Sequence, residues 1–208
     1  MKLKTKTLLF TLLMISFLAI TAFVIQKNIF LLNFDTSIAA YVSTLHSPFL
    51  DTFMVNITTL GDVYQVIFLF IICAIVFIAE RKKYMLYELI LGLGLAGLLP
   101  EIIKILVQRA RPISHLLLET DYSFPSAHAT VAAALWCITT FLIAPLIKNR
   151  LIQKIFIILS SILFPLIALS RIYLSVHWAS DVLAGILLGS ACYLFANIVV
   201  LRYEENHK

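Results

Sequence analysis

The chain has 208 residues, of which 62% are hydrophobic and 13% charged, with 16 Lys+Arg against 11 Asp+Glu for a formal net charge of +5. Soluble domains average about 45–50% apolar and about 25% charged residues, and a chain this short lacks the polar surface to cover such an excess. The composition excludes a soluble globular domain, a disordered chain and a disulfide-rich secreted scaffold, and leaves an integral membrane protein.

A spanning helix needs about 20 apolar residues, because about 30 Å of hydrocarbon is crossed at about 1.5 Å per residue. Six runs qualify, at 8–25, 63–79, 84–107, 128–147, 155–174 and 178–201. The expected fold is all-α, a bundle of six transmembrane helices in a single domain over residues 1–208. The first run follows Met-Lys-Leu-Lys-Thr-Lys, as a signal peptide would. Its apolar stretch is longer than a usual signal core and no small-x-small cleavage site follows it, so a retained helix is expected. The sizeable loops are 32–62 and 108–127. Cys73, Cys137 and Cys192 all sit within apolar runs, where they read as small buried hydrophobes.

Basic residues set orientation. Eleven of the 16 fall on one side of this plan: Lys2, Lys4, Lys6, Arg81, Lys82, Lys83, Lys148, Arg150, Lys154, Arg202 and Lys208. That side is expected to be cytoplasmic, with both termini on it, in a multi-pass protein of the plasma membrane. The long first loop carries Asp35, Asp51 and Asp62 and no Lys or Arg in its 32–62 stretch, as an external loop should. Nothing in the pattern suggests nucleic acid, and the oligomeric state is not legible.

Lys104, Arg111 and Arg171 break the rule. Lys104 lies 21 residues beyond Lys83, about 30 Å along a helix. Similar arithmetic from Lys154, Lys148 and Arg202 brings Arg171, His128 and Asp181 to the same depth, near the external interface. Snorkelling would explain one such cation, but not several ionisable groups converging at one level. His177 and Asp181, four apart at the start of the sixth run, share a helix face. A carboxylate there can accept one imidazole N–H and leave the other nitrogen as a base or nucleophile. Pro125-Ser126-Ala127-His128 opens the fourth run, with Ser126 as N-cap and free helix N–H groups facing the cations. Arg111 and Arg171 can fork onto phosphate oxygens and Lys104 adds a point charge. This is a parts list for phosphoryl transfer without a metal or other cofactor. The metal alternative, with His128, His177 and Asp181 as ligands, is opposed by the three cations. A non-catalytic membrane carrier of phospholipid or phosphate would use the same basic pocket, although the inverted repeats common in transporters are not visible.

Lys104-(six residues)-Arg111-Pro112, Pro125-Ser126-Ala127-His128 and Ser170-Arg171-(five residues)-His177-(three residues)-Asp181 together resemble the three-part signature of the type 2 phosphatidic acid phosphatase superfamily. That family includes bacterial lipid phosphate phosphatases and is related to vanadium haloperoxidases. The short six-helix plan is similar to its small bacterial members, which act on phosphatidylglycerophosphate or undecaprenyl diphosphate. The resemblance implies hydrolysis of a membrane lipid phosphate (these two, or phosphatidic acid) on the extracytoplasmic side. It implies that His177 forms a phosphohistidine, that Asp181 orients His177, and that His128 protonates the leaving oxygen and then activates water. Lys104, Arg111, Ser126, Arg171 and the Ala127 N–H would hold the phosphate oxygens. Ala127 stands where the family usually has Gly. Its N–H survives, and only a positive φ would be strained there. Glu101 is expected to pair with Lys104. Arg109, His115, Glu119 and Asp121 read as solvated loop residues, and His46 and Asp62 have no evident partner.

Overall fold

The computed structural model describes residues 2–207, all of whose regular structure is helical. The elements are α1 (Leu3–Ile25), α2 (Ile29–Ser43), α3 (Pro48–Thr59), α4 (Val63–Ala79), α5 (Lys83–Val107), α6 (Ala127–Ile138), α7 (Arg150–Tyr173) and α8 (Ala179–Glu205). Five helical stretches are individually long and apolar enough to cross a membrane, and α3 with α4, bent by 47°, supplies a sixth. The expected bundle is therefore the observed one. Of the basic residues assigned to the cytoplasmic side, Lys208 lies outside the described residues.

The main departure is the stretch expected as a loop at 32–62, which folds into α2 and α3. Local signals start both helices. Asn28 accepts from the N–H groups of Phe30 and Leu31 at 3.0 and 3.3 Å, and Ser47 caps α3 with Pro48 at its first position. Both helices are too short and too mixed to read as spans. α6 also ends earlier than the apolar run. Pro145 cannot donate to the carbonyl four residues back, and the chain passes through a π segment (Thr139–Ile143) and a 3-10 turn (Ala144–Leu146).

α8 is the axis of the bundle: 67% of its apolar window is buried, against 11% for α1, which is exposed along most of its length. Lipid tails are as apolar as leucine, so close helix approach has to come from small residues. α8 presents Gly185 and Gly189, four apart, to α6. A Cβ on Gly185 would lie 2.6 Å from the Ser126 carbonyl oxygen, and one on Gly189 2.0 Å from that of Thr130. Only glycine permits this contact, and it presses the start of α6 against the start of α8. Polar ties fix the rest. Near the expected cytoplasmic end, Lys6 Nζ donates to Asn197 Oδ1 at 2.5 Å and Asn197 Nδ2 donates to Glu88 Oε2 at 2.7 Å, joining α1, α8 and α5. Glu88 is thus buried in a polar network. At the other end the Tyr173 hydroxyl donates to Asp51 Oδ1, which also lies 2.8 Å from His46 Nδ1, pinning α3 to the end of α7.

The glycine contact gives a paired prediction. Gly189→Ala must force α6 and α8 apart and should cost about 1–3 kcal/mol through overpacking, read as a lowered midpoint of thermal unfolding in detergent. Gly97→Ala, where an added Cβ meets nothing within 4 Å, should leave the midpoint of thermal unfolding in detergent unchanged or slightly raised.

Candidate active site

Two backbone reversals build the site. α5 ends at Gln108 with φ +53°, and α7 ends in a turn through Ser175 with φ +53°. Both are left-handed conformations that non-glycine residues seldom adopt. They turn the 108–126 loop and the short 174–178 link back over the ends of α6 and α8. The Ser126 N–H then donates to the Asp181 carbonyl at 3.1 Å, so the second and third motifs are joined by a main-chain bond. The Ser126 hydroxyl accepts from the Ala129 N–H at 3.4 Å. The Ala127 and His128 N–H groups, in the first turn of α6, have no carbonyl of their own helix to bond.

His177 is buried at 3% exposure. Its Nδ1 lies 2.7 Å from the main-chain oxygen of Ser123, which fixes that nitrogen as the N–H donor and leaves the lone pair on Nε2. Nε2 faces an Arg111 guanidinium nitrogen at 3.1 Å, and the same nitrogen donates to the Val176 carbonyl at 2.6 Å. Burial first, and then the positive charges of Arg111 and Arg171, push the imidazole well below its ordinary range, so the ring is neutral near pH 7. A buried, neutral, oriented imidazole beside a guanidinium can act as a nucleophile toward an anion that the guanidinium holds.

The N–H that sequence reasoning assigned to Asp181 therefore goes to Ser123. Asp181 Oδ2 stands 3.7 Å from His177 Nδ1. Its carboxylate is drawn elsewhere: Oδ2 accepts the Trp178 N–H at 2.9 Å, as the third residue of α8, and Oδ1 takes an Arg109 N–H at 2.5 Å. Arg109 also donates to Asp35 at 2.6 Å, and Asp35 accepts both the N–H and the hydroxyl of Ser180. Asp35, Arg109 and Asp181 form a buried acid–base–acid triad that locks α2 and the loop onto the start of α8.

The three cations meet, but through carboxylates. Lys104 Nζ lies 3.0 Å from Glu101, as expected, and 2.6 Å from Asp121. Arg111 binds the other oxygen of Asp121 at 2.5 Å and approaches Glu119 at 3.8 Å. Arg171 pairs with Glu119 and donates to the Thr58 hydroxyl at 2.9 Å. Glu119 and Asp121 are therefore not solvated loop residues. Partial burial pushes Asp121 upward, but hydrogen bonds from Lys104 and Arg111 together outweigh it and bring its pKa down to about 2. Glu119 is shifted the same way: burial opposes, and the Arg171 bond and charge prevail. His128 Nε2 lies 2.9 Å from Asp62 Oδ1. A Cβ added at neighbouring Gly61 would come within 2.9 Å of the His128 ring and 2.8 Å of Ile167, with the Thr58 carbonyl oxygen at 3.4 Å, which puts His128 near Thr58, the residue bonded to Arg171.

Every motif residue thus falls within one constellation at one end of the bundle. Residues 85–205 match the PAP2 superfamily. The chain belongs to that superfamily. It is 31% identical over 178 residues to phosphatidylglycerophosphatase B of Bacillus subtilis, across 84% of this chain and 85% of that protein. It is 34% identical over 126 residues to an undecaprenyl-diphosphatase of Sulfolobus acidocaldarius, across 57% of each. Among solved structures it resembles the transmembrane PAP2-type phosphatidylglycerolphosphate phosphatase of B. subtilis, with a TM-score of 0.81, 28% identity and coverage of 96% of this chain and 97% of that one. This PAP2 chain is a multi-pass membrane enzyme, a phosphatase of lipid phosphates. Among the described residues, no group of three or more His, Cys, Asp or Glu is arranged to hold a metal ion.

Two predictions rest on this geometry. Removing Asp35, whose side chain is fully buried, should cost about 2–5 kcal/mol, because it leaves the buried N–H and hydroxyl of Ser180 without their acceptor and Arg109 with Asp181 as its remaining acid. Glu101→Gln, at 56% side-chain exposure, should cost under about 1 kcal/mol; thermal unfolding of Asp35→Ala and Glu101→Gln compares them. The lowered pKa values of Glu119 and Asp121 also set a pH window. Their hold on the cations is complete above the ordinary carboxylate range and is lost as pH falls through the lowered folded values, about 2 for Asp121. Hydrogen exchange of residues 115–122 should be unchanged between pH 7 and 5 after correction for the intrinsic rate, and should accelerate only below about 4.

Proposed function

We propose that this PAP2 enzyme removes a terminal phosphate from a membrane lipid monoester or diphosphate without a metal, through a phosphohistidine on His177. The observation that carries this reading is the fixed imidazole, with Nδ1 bound to the Ser123 carbonyl and Nε2 set 3.1 Å from Arg111. Its nucleophilic lone pair and a phosphate-binding cation share one point in space.

In the first step the Nε2 lone pair attacks phosphorus. The N–P bond forms, the P–O bond to the lipid breaks, and the departing oxygen takes a proton from His128. In the second, water attacks phosphorus, the N–P bond breaks with its electrons returning to Nε2, and His128 takes the water proton. Lys104, Arg111 and Arg171 neutralise the phosphoryl oxygens, helped by the N–H of Ala127 and the Ser126 hydroxyl. Asp62 holds the His128 ring. Asp181 and Arg109 hold the start of α8, so Asp181 supports His177 through the backbone it caps rather than by bonding the ring. Ala127 sits in the first turn of a regular helix, a backbone any residue adopts, so its replacement of the family's usual Gly leaves the N–H in place.

The named relatives act on phosphatidylglycerophosphate and undecaprenyl diphosphate, and lipids of these kinds are the substrates assigned here. The basic clusters at the other end of the helices make that end cytoplasmic under the positive-inside rule. The reaction then lies at the extracytoplasmic face of the plasma membrane, with both termini inside.

The test is phosphate release by purified protein in mixed micelles. His177→Ala should abolish it, and EDTA should leave the wild type fully active. Acid-labile phosphate should be trapped on the wild-type chain and not on His177→Ala. Undiminished release by His177→Ala would end the phosphohistidine mechanism.

A further inference from the structure

The phosphate cradle is lined by carboxylates supplied by two residues of one short stretch. Asp121 divides its oxygens between Lys104 at 2.6 Å and Arg111 at 2.5 Å, and its own main-chain oxygen accepts a further Arg111 N–H at 3.0 Å. Glu119 divides its oxygens between Arg171 and, at 3.8 Å, Arg111. Two carboxylates thus bridge three cations as non-bridging phosphate oxygens would. The stretch is anchored on both sides. The Ser114 hydroxyl donates to the Leu174 carbonyl at 2.6 Å, and the Ser123 N–H donates to the Arg109 carbonyl at 2.9 Å.

The cations have little access to water. Lys104 is 6% and Arg171 2% exposed. A phosphate can enter only by replacing the carboxylates, and what replaces them must compensate the same charge, because a buried cation left without a partner is strongly destabilising. Glu119 and Asp121 bring two negative charges. A terminal phosphate brings about 1.5 to 2 at pH 7, and a diphosphate more. A phosphodiester brings one. The surrounding bilayer consists of phosphodiesters, at a concentration no substrate approaches.

We propose that Glu119 and Asp121 are specificity-determining residues that exclude the phosphodiester head groups of bulk membrane lipids and yield only to a terminal phosphate or diphosphate. The inference rests on the phosphatase reading above and adds to it a selection by charge. The exchange gives the binding of each ligand a threshold. A dianion matches the two carboxylates it displaces, whereas a monoanion replaces only one of them and leaves either Arg171 without an acid or Lys104 with Glu101 alone.

Binding is measured by calorimetry in detergent on the full-length chain carrying His177→Ala, so that no ligand is turned over. The probes are short-chain phosphatidic acid, a monoester, and short-chain phosphatidylglycerol, a diester. With both carboxylates present, the diester should bind at least about 100-fold more weakly, a gap of about 2.7 kcal/mol. Glu119→Gln with Asp121→Asn should narrow that ratio by at least about tenfold, chiefly by tightening the diester. The charge-preserving Glu119→Asp and Asp121→Glu should keep it. Should the double variant fail to fold, Glu119→Gln and Asp121→Asn singly should each narrow the ratio by about threefold or more. A ratio that stays within about twofold in the neutralised variants, or a loss of both ligands in parallel, overturns the proposal. Absence of phosphate release by the wild-type chain would overturn the phosphatase reading alone, since the binding ratio is read without turnover.

Discussion

An ionised group at the edge of hydrocarbon cannot be left to itself. Its transfer out of water is expensive, and it persists only where an opposite charge or several hydrogen bonds replace the lost hydration. This constraint organises one whole end of the molecule. Arg109 is held between Asp35 and Asp181, Lys104 between Glu101 and Asp121, and Arg171 between Glu119 and Thr58. Apart from Glu101–Lys104, which lies within α5, each pair joins separate segments of the chain, so the pairing that makes the charges tolerable also assembles the site. The chemistry follows from the same arrangement, because a basic pocket already dry enough to need partners is one in which a phosphate is strongly felt.

The scaffold supplies what the charges cannot. Ion pairs reach across several ångströms, but His177 and His128 need their helix starts in contact to belong to one site. That contact comes from the absence of side chains at Gly185 and Gly189, which lets α8 touch the carbonyls of Ser126 and Thr130. His128 and His177 are thereby carried on two helix ends that move as one.

The spans and the motif residues were legible in the sequence because each has a strong one-dimensional signal. Apolar runs of about 20 residues have few other meanings, and Lys104, Arg111 and Arg171 stood out as cations on the side that should lack them. The Glu101–Lys104 pair followed from helix spacing. What could not be read shares a physical cause. Asp35 and Asp62 find their partners, Arg109 and His128, more than 60 residues away, and nothing in the local sequence distinguishes them from acids facing water. Asn28 and Ser47 were the available signals that the 32–62 stretch is helical, but caps before short, mixed segments are weak evidence. Glu119 and Asp121 lie in a stretch without regular structure, where spacing predicts no direction. The acceptor for His177 had no sequence signal at all, since every residue carries a main-chain carbonyl.

That last point has an evolutionary side. A histidine oriented by an aspartate can lose its tautomer through a single codon change in the partner. Here the partner atom is the peptide oxygen of Ser123, which any residue at that position would still carry. The tautomer of His177 is therefore shielded from most point mutations outside the histidine itself, including a change of side chain at Ser123. Descendants of such a chain can remodel the rim of the site, and with it the head group that enters, while Nε2 of His177 keeps its lone pair pointed the same way.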